Sequence, residues 1–238
     1  MALLSRRSGT KSAPGPSVSR DKRRIVQMSC SLLLDYPDEQ LPGKLATIRE
    51  ACTELPAALR EPIEQFCTTV ETTGIRGLQE HYVDNFDQKR RCALWLTYYT
   101  HGDTRARGQA LLAFREVMRR SGFDMGREEL ADYLPAVLEF CALEESDTGE
   151  KLLESNREGL EVVRAALHKS GSPYAVLLDA LLAILPQADA RTIEAYQKLI
   201  SQGPPSELVG LDMPSVPPYA SPDASALGRP APTTSERK

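Results

Sequence analysis

EHYVDNFDQKRRCALWLTYYTHGDTRARG, residues 80–108, is the stretch on which the reading of this chain turns. It holds the only tryptophan, Trp95, and two of the three histidines, His81 and His101. Three of the eight tyrosines, Tyr82, Tyr98 and Tyr99, lie in it as well. Acids and bases crowd the same turns as these aromatics. Neither here nor elsewhere does an apolar–polar alternation of period two persist, and no strand–helix–strand rhythm develops. With helical spacing, one helix is expected to end near Asn85 and another to run from Asp87 through Cys92, Trp95, Leu96 and Tyr99. His101-Gly102 closes that helix, and Asp103 or Thr104 caps the next.

Outward from that stretch the helical pattern continues in both directions. Upstream, a first helix is expected over 20–34 and DYPDEQLP at 35–42 makes a turn. Pro37 ends the first helix and Asp38 caps the second, which runs to about Thr53. Leu59, Ile63, Phe66 and Val70 mark one face of a third helix that Thr73-Gly74 stops, and a fourth follows to Asn85. Downstream, Leu111, Phe114 and Met118 carry a helix to Ser121-Gly122. DMGREEL opens the next, expected to reach Leu143 with a kink or break at Pro135. Leu153, Leu160, Val163 and Leu167 form the buried stripe of an eighth helix. Ser172-Pro173 starts a ninth whose AVLLDALLAIL is apolar nearly all round, hence central. A last helix is expected over 189–201. The expectation is one all-α domain of about nine or ten helices over residues 20–202. A disordered basic arm, 1–19, and a disordered tail, 203–238, flank it. Eight of the seventeen prolines lie between Pro204 and Pro232.

Charge and composition exclude several functions. Residues 1–24 carry a net +6 and residues 202–238 a net −1, which leaves −9 of the total −4 for residues 25–201. An acidic body is poorly suited to nucleic acid and well suited to a basic peptide. No apolar run approaches the roughly 20 residues that span a bilayer, so no stable membrane insertion is expected. The arginine pair Arg6-Arg7 is not followed by an apolar stretch, which argues against a secretory signal. Five scattered cysteines without a CxxC pair point to a reducing compartment and away from disulfides or zinc. None of the phosphate-binding, zinc-hydrolase or nucleophile-elbow motifs occurs, so neither an enzyme nor a cofactor is expected. Glu80, His81 and Asp84 are a carboxylate–histidine cluster without the second copy that a di-metal bundle needs.

Two expected helix starts break a local rule. Asp87 is followed by Lys89, Arg90 and Arg91, and Asp103 by Arg105 and Arg107. Bases in a first turn oppose the helix dipole and cost about 0.3–1 kcal/mol each. Two readings stay open: solvated bases, or bases held by the neighbouring acids or by a partner. Phe86, Trp95 and Tyr99 are expected in the core, and Tyr82 or Tyr98 with a wet edge.

The run HYVDNFDQKRRCALWLTYYTHGDTRARG closely resembles the signature of the NarJ family, the delta subunit of respiratory nitrate reductase. LLLDYPDEQL at 32–41 and DYLPAVLEF at 132–140 match in the right order, so the resemblance covers about residues 25–200. It implies an all-helical fold like that of the redox-enzyme maturation chaperones, and a cytoplasmic protein absent from the finished enzyme. It implies binding to the apo alpha subunit of nitrate reductase, chiefly its N-terminal segment. The alpha–beta complex is thereby kept competent for molybdenum cofactor insertion before membrane attachment. The expected capture is helix-in-groove. Asp84, Asp87 or Asp103 meets the peptide's bases, Tyr82 and Tyr98 border it, and Arg105 and Arg107 orient the carboxylates or meet an acid. Two alternatives accompany this reading. One is a chaperone of the same fold for another molybdoenzyme; the other is a carrier that binds the molybdenum cofactor through Arg90, Arg91, Arg105 and Arg107.

Overall fold

A computed structural model of the chain describes residues 18–124 and 129–185. The arm up to residue 17, the proline-rich tail and the expected helix at 189–201 lie outside the described residues. Within them there are nine α-helices and no strand: α1 (Arg20–Leu34), α2 (Leu41–Cys52), α3 (Ala57–Tyr82), α4 (Tyr98–His101), α5 (Arg105–Arg120), α6 (Leu134–Leu143), α7 (Thr148–Ser155), α8 (Arg157–Lys169) and α9 (Ala175–Ile184). The fold is all-α, as the periodicity implies.

The core assembles around α9 and α1. Ala175, Leu177, Leu178, Ala180, Leu181, Leu182 and Ile184 are all buried, because α9 packs on α3, α8 and α1 at once. Each fully buried leucine contributes about 1.5–3 kcal/mol. The one acid of α9, Asp179, pairs with Arg164 at 2.5 Å and with His168 at 3.0 Å. α1 lies along α6, where the Ser31 hydroxyl donates to the Pro135 carbonyl at 2.8 Å. Arg24 donates to the Glu144 carbonyl and Arg20 to the Ser146 carbonyl, each at 2.6 Å. Arg24 thus meets the carbonyl of the α6 C-cap residue, and Arg20 one in the loop beyond it, tying α1 to the α6–α7 connection.

Several boundaries differ from the sequence expectation. Asp38 does not cap α2; its carboxylate accepts from the Gln40 amide within the preceding turn. The expected third and fourth helices run together as α3, broken only at Gly74 (φ 73°, ψ 160°). Pro135 marks a start rather than a kink: α6 begins one residue before it, where its missing N–H has no helical role. The expected eighth helix is two, α7 and α8, parted at Asn156 (φ −107°, ψ 12°), whose side chain donates to the Leu152 carbonyl. Leu153, Leu160, Val163 and Leu167 are nonetheless all buried, as expected.

The largest departure is the helix expected from Asp87 to His101. Val83–Asp87 is a π-helical turn and Arg90–Cys92 a single 3-10 turn; only Tyr98–His101 is α-helical. Tertiary hydrogen bonds explain it. The Leu96 amide donates to the Asp132 carbonyl at 3.0 Å and the Leu134 amide to the Leu94 carbonyl at 2.8 Å. Trp95 and Tyr133 thus face each other as an isolated antiparallel bridge. Asp87 caps no helix, so the dipole argument does not apply to Lys89, Arg90 and Arg91.

Close approaches hold α8 against Tyr99 of α4 and α7 against α6. A Cβ on Gly149 would stand 2.9 Å from Cys141 Cα and 2.7 Å from its Sγ. Gly149→Ala must therefore push α7 from α6. We predict a loss of about 1–3 kcal/mol in urea unfolding, whereas Gly43→Ala, with open space around it, shows no such loss.

Candidate partner-binding surface

One carboxylate organises the irregular segment. Asp132 is fully buried and accepts from the Thr97 amide at 3.0 Å and the Thr97 hydroxyl at 2.5 Å. Arg107 Nη2 stands 4.0 Å from the same oxygen, and Arg107 Nη1 pairs with Asp103 at 3.1 Å. The Arg107 guanidinium also lies over the Tyr98 ring, 6.0 Å from its centre. Arg107 in the first turn of α5 is thus held by acids, one of the two readings left open above. Thr104 occupies the cap position of α5, but its hydroxyl donates back to the His101 carbonyl instead of capping.

A second convergence joins three distant stretches of chain. Tyr82 and Tyr133 share a hydroxyl–hydroxyl hydrogen bond of 2.8 Å, and Tyr133 donates to Asp35 at 3.1 Å. Tyr36 packs edge-on against Tyr82 with ring centres 5.4 Å apart. These four residues come from the three motifs at 32–41, 81–108 and 132–140. What lies far apart in sequence meets at one end of α3.

The expected site residues divide between surface and interior. Asp84 and Asp87 lie exposed on the π-helical turn, and Arg105 is exposed at the start of α5. Asp103 and Arg107 are half-buried in their shared ion pair. Tyr82 and Tyr98 are buried, not wet-edged, because the Tyr133 bond and the Arg107 guanidinium enclose them. Trp95, expected in the core, is half-buried. Phe86 and Tyr99 are buried as expected.

His81 is part of a polar chain behind the turn. Its Nε2 lies 2.9 Å from the Ser172 hydroxyl, and Asn85 in turn accepts from Lys89 at 2.8 Å. Burial and then the Lys89 charge push the imidazole below its ordinary value. No metal-binding group of three ligand residues occurs among the described residues. The five thiols are free and buried. Burial raises them all where a shift is resolved, Cys67 to about 11, which makes them inert as nucleophiles.

Two cavities lie outside the motif junction. One, about 580 Å³, lies between α1 and α2, with Ile25, Met28, Leu32 and Ile48 in its wall and Arg24 and Lys44 at its edge. The other, about 760 Å³, lies between Lys89–Cys92 and α8. None of the seven residues expected at the site is among the described linings of either. The sequence reading missed both cavities, since each depends on how separate elements pack: α1 on α2 in one, and Lys89–Cys92 on α8, about 70 residues on, in the other.

Fold and surface together define an all-helical domain with exposed carboxylates on a π-helical turn. The family model described as nitrate reductase delta subunit matches residues 52–179, and the chain belongs to that family. A Bacillus subtilis relative, named a probable nitrate reductase molybdenum cofactor assembly chaperone NarJ, is 34% identical over 170 residues. That alignment covers 71% of this chain and 92% of the relative. The Escherichia coli K12 protein named nitrate reductase molybdenum cofactor assembly chaperone NarJ is 31% identical over 155 residues, 64% of this chain and 66% of its own length. A nitrate reductase-like protein NarX of Mycobacterium tuberculosis is 32% identical over 151 residues, 63% of this chain but only 23% of that protein. An Archaeoglobus fulgidus structure described as a redox enzyme maturation protein shares the fold. Its TM-score is 0.50 at 20% identity, covering 74% of this chain and 96% of that one.

Removing the buried carboxylate separates structure from surface. Asp132→Ala leaves the buried Thr97 amide without its acceptor, and we predict a loss of about 2–3 kcal/mol in chemical denaturation. Asp87→Asn, on the exposed turn, is predicted to shift stability by less than about 0.5 kcal/mol.

Proposed function

We propose that this protein is an assembly chaperone of respiratory nitrate reductase, which binds the apo alpha subunit chiefly at its N-terminal segment. The observation that carries this reading is the family membership: the match spans residues 52–179, and the relatives covering most of this chain are named nitrate reductase molybdenum cofactor assembly chaperones. By holding the alpha–beta complex before membrane attachment, the chaperone keeps the alpha subunit open to molybdenum cofactor insertion. No helix among the described residues is long and apolar enough to cross a membrane, which suits action before attachment and in the cytoplasm.

The recognition chemistry follows from the surface. A basic amphipathic segment meets the exposed carboxylates of Asp84 and Asp87 on the π-helical turn, with Asp103 beyond them. A π-helical turn presents its residues out of register with the helix before it, and such turns recur at functional positions. Arg107 fixes Asp103 rather than meeting the client. Tyr82 and Tyr98 act from beneath, by setting the shape of the turn and of α4.

Calorimetric titration of the full chain with a synthetic alpha-subunit N-terminal peptide tests this. Saturable binding that weakens with added salt is expected, and Asp84→Asn with Asp87→Asn weakens it about two- to tenfold, the range for two exposed charge contacts. Binding insensitive to salt and to both substitutions moves the contact to apolar surface, with the α1–α2 cavity the next to mutate. Absence of binding by the folded protein contradicts the N-terminal segment as client.

A further inference from the structure

The larger cavity has the opposite charge to the body around it. Lys89, Arg90 and Arg91 stand on one side and Lys169 on the other. No aspartate or glutamate is among the described residues of its lining. The floor is aliphatic: Cys92 and Val162 are buried, and Ala165 and Ala166 half-buried. The volume of about 760 Å³ lies within the range of real ligand sites, about 300–1,000 Å³. Lys89 is already placed by its bond to Asn85, and Arg90 and Arg91 have partners of their own. The cavity's character rests on the sign of its lining, not on any idle side chain.

We propose that this cavity is a second docking site, which takes an acidic amphipathic helix of a partner protein. Three features select that occupant. The four cations flank an apolar floor from two sides, so they match a ligand with an apolar face and acids along both edges. Val162, Ala165, Ala166 and Lys169 follow the spacing of one helix face, and their small side chains let a second helix approach closely. A phosphorylated ring compound fits less well, because the described lining has no aromatic side chain to stack a ring and no glycine-rich turn to cradle phosphate. The chain thus carries two surfaces of opposite preference. The π-helical turn attracts bases through Asp84 and Asp87. The adjoining turn, from Lys89 onward, attracts acids.

The inference rests on the chaperone reading only for the partner's identity, so its test is independent of the alpha-subunit peptide. The full chain is titrated with a synthetic helix that carries leucine and alanine on one face and glutamates on its flanks. Its counterpart with lysines in place of the glutamates is the control. Trp95, three residues from Cys92, supplies the fluorescence signal. The acidic helix is expected to bind and the basic one not. Lys169→Glu and Ala165→Phe, each confirmed folded by circular dichroism, are expected to weaken the acidic helix about tenfold, as reversing or blocking a contact does. Lys44→Glu, at the other cavity, leaves it unchanged. Equal binding of both helices, or no binding of either, overturns the proposal. So does inorganic pyrophosphate binding that Lys169→Glu abolishes while the acidic helix fails to bind, which makes this a small-phosphate site. Failure of the basic alpha-subunit peptide alongside success here removes the proposed function and leaves this cavity assignment standing.

Discussion

The grip of Asp132 on Thr97 is the constraint on which the rest of this surface depends. Residues 88–97 have helical composition, yet they do not form a helix. Arg90–Cys92 makes only a single 3-10 turn, and the chain from Leu94 to Thr97 is kept out of an α-helix because a buried carboxylate two residues before α6 accepts from both the Thr97 amide and its hydroxyl. Backbone bonds on either side, at Leu94 and Leu96, lock the pairing. A buried polar group is expensive unless donors meet it, and Asp132 Oδ2 meets the two donors of Thr97 and, more distantly, Arg107, while its Oδ1 has no hydrogen-bond partner.

From that constraint the surrounding features follow. Because no helix starts at Asp87, the acids of the π-helical turn and the bases from Lys89 onward part company. Asp84, Asp87, Lys89, Arg90 and Arg91 are all exposed, but of these only the three bases border the cavity beside α8. A continuous helix would have mixed these charges on one cylinder. The π-helical turn and the 3-10 turn after it sort them into two neighbouring fields of opposite sign. Arg107 belongs to neither field, since Asp103 and Asp132 hold it.

Much of the fold was legible in the sequence, for physical reasons that can be named. α1, α5 and α9 follow from apolar periodicity, and the break at Gly74 from glycine's access to positive φ. The buried stripe of α7 and α8 was legible although the break at Asn156 was not, because periodicity survives a short change of backbone angle. The 87–101 segment was misread because its conformation is set by partners some 35 residues away, which local propensity cannot register. The same cause left Trp95 half-buried and Tyr98 inside. As for the surface, the exposed acids Asp84 and Asp87 were visible as residues, but the pairing of Arg107 with Asp132 and the cavity between Lys89–Cys92 and α8 were not. The resemblance of three separated motifs pointed to the family before any contact between them was known, and Tyr82, Tyr133, Asp35 and Tyr36 show what those motifs have in common: they touch.

The central claim is that the segment shaped by Asp132 is where the client is held. Amide hydrogen exchange of the full chain, with and without the nitrate reductase alpha-subunit N-terminal peptide, tests it most directly. The account predicts slowed exchange over residues 83–91 and at the start of α5, with α2 unaltered. Protection confined to α1 and α2, with 83–91 exchanging as in the free protein, would contradict it.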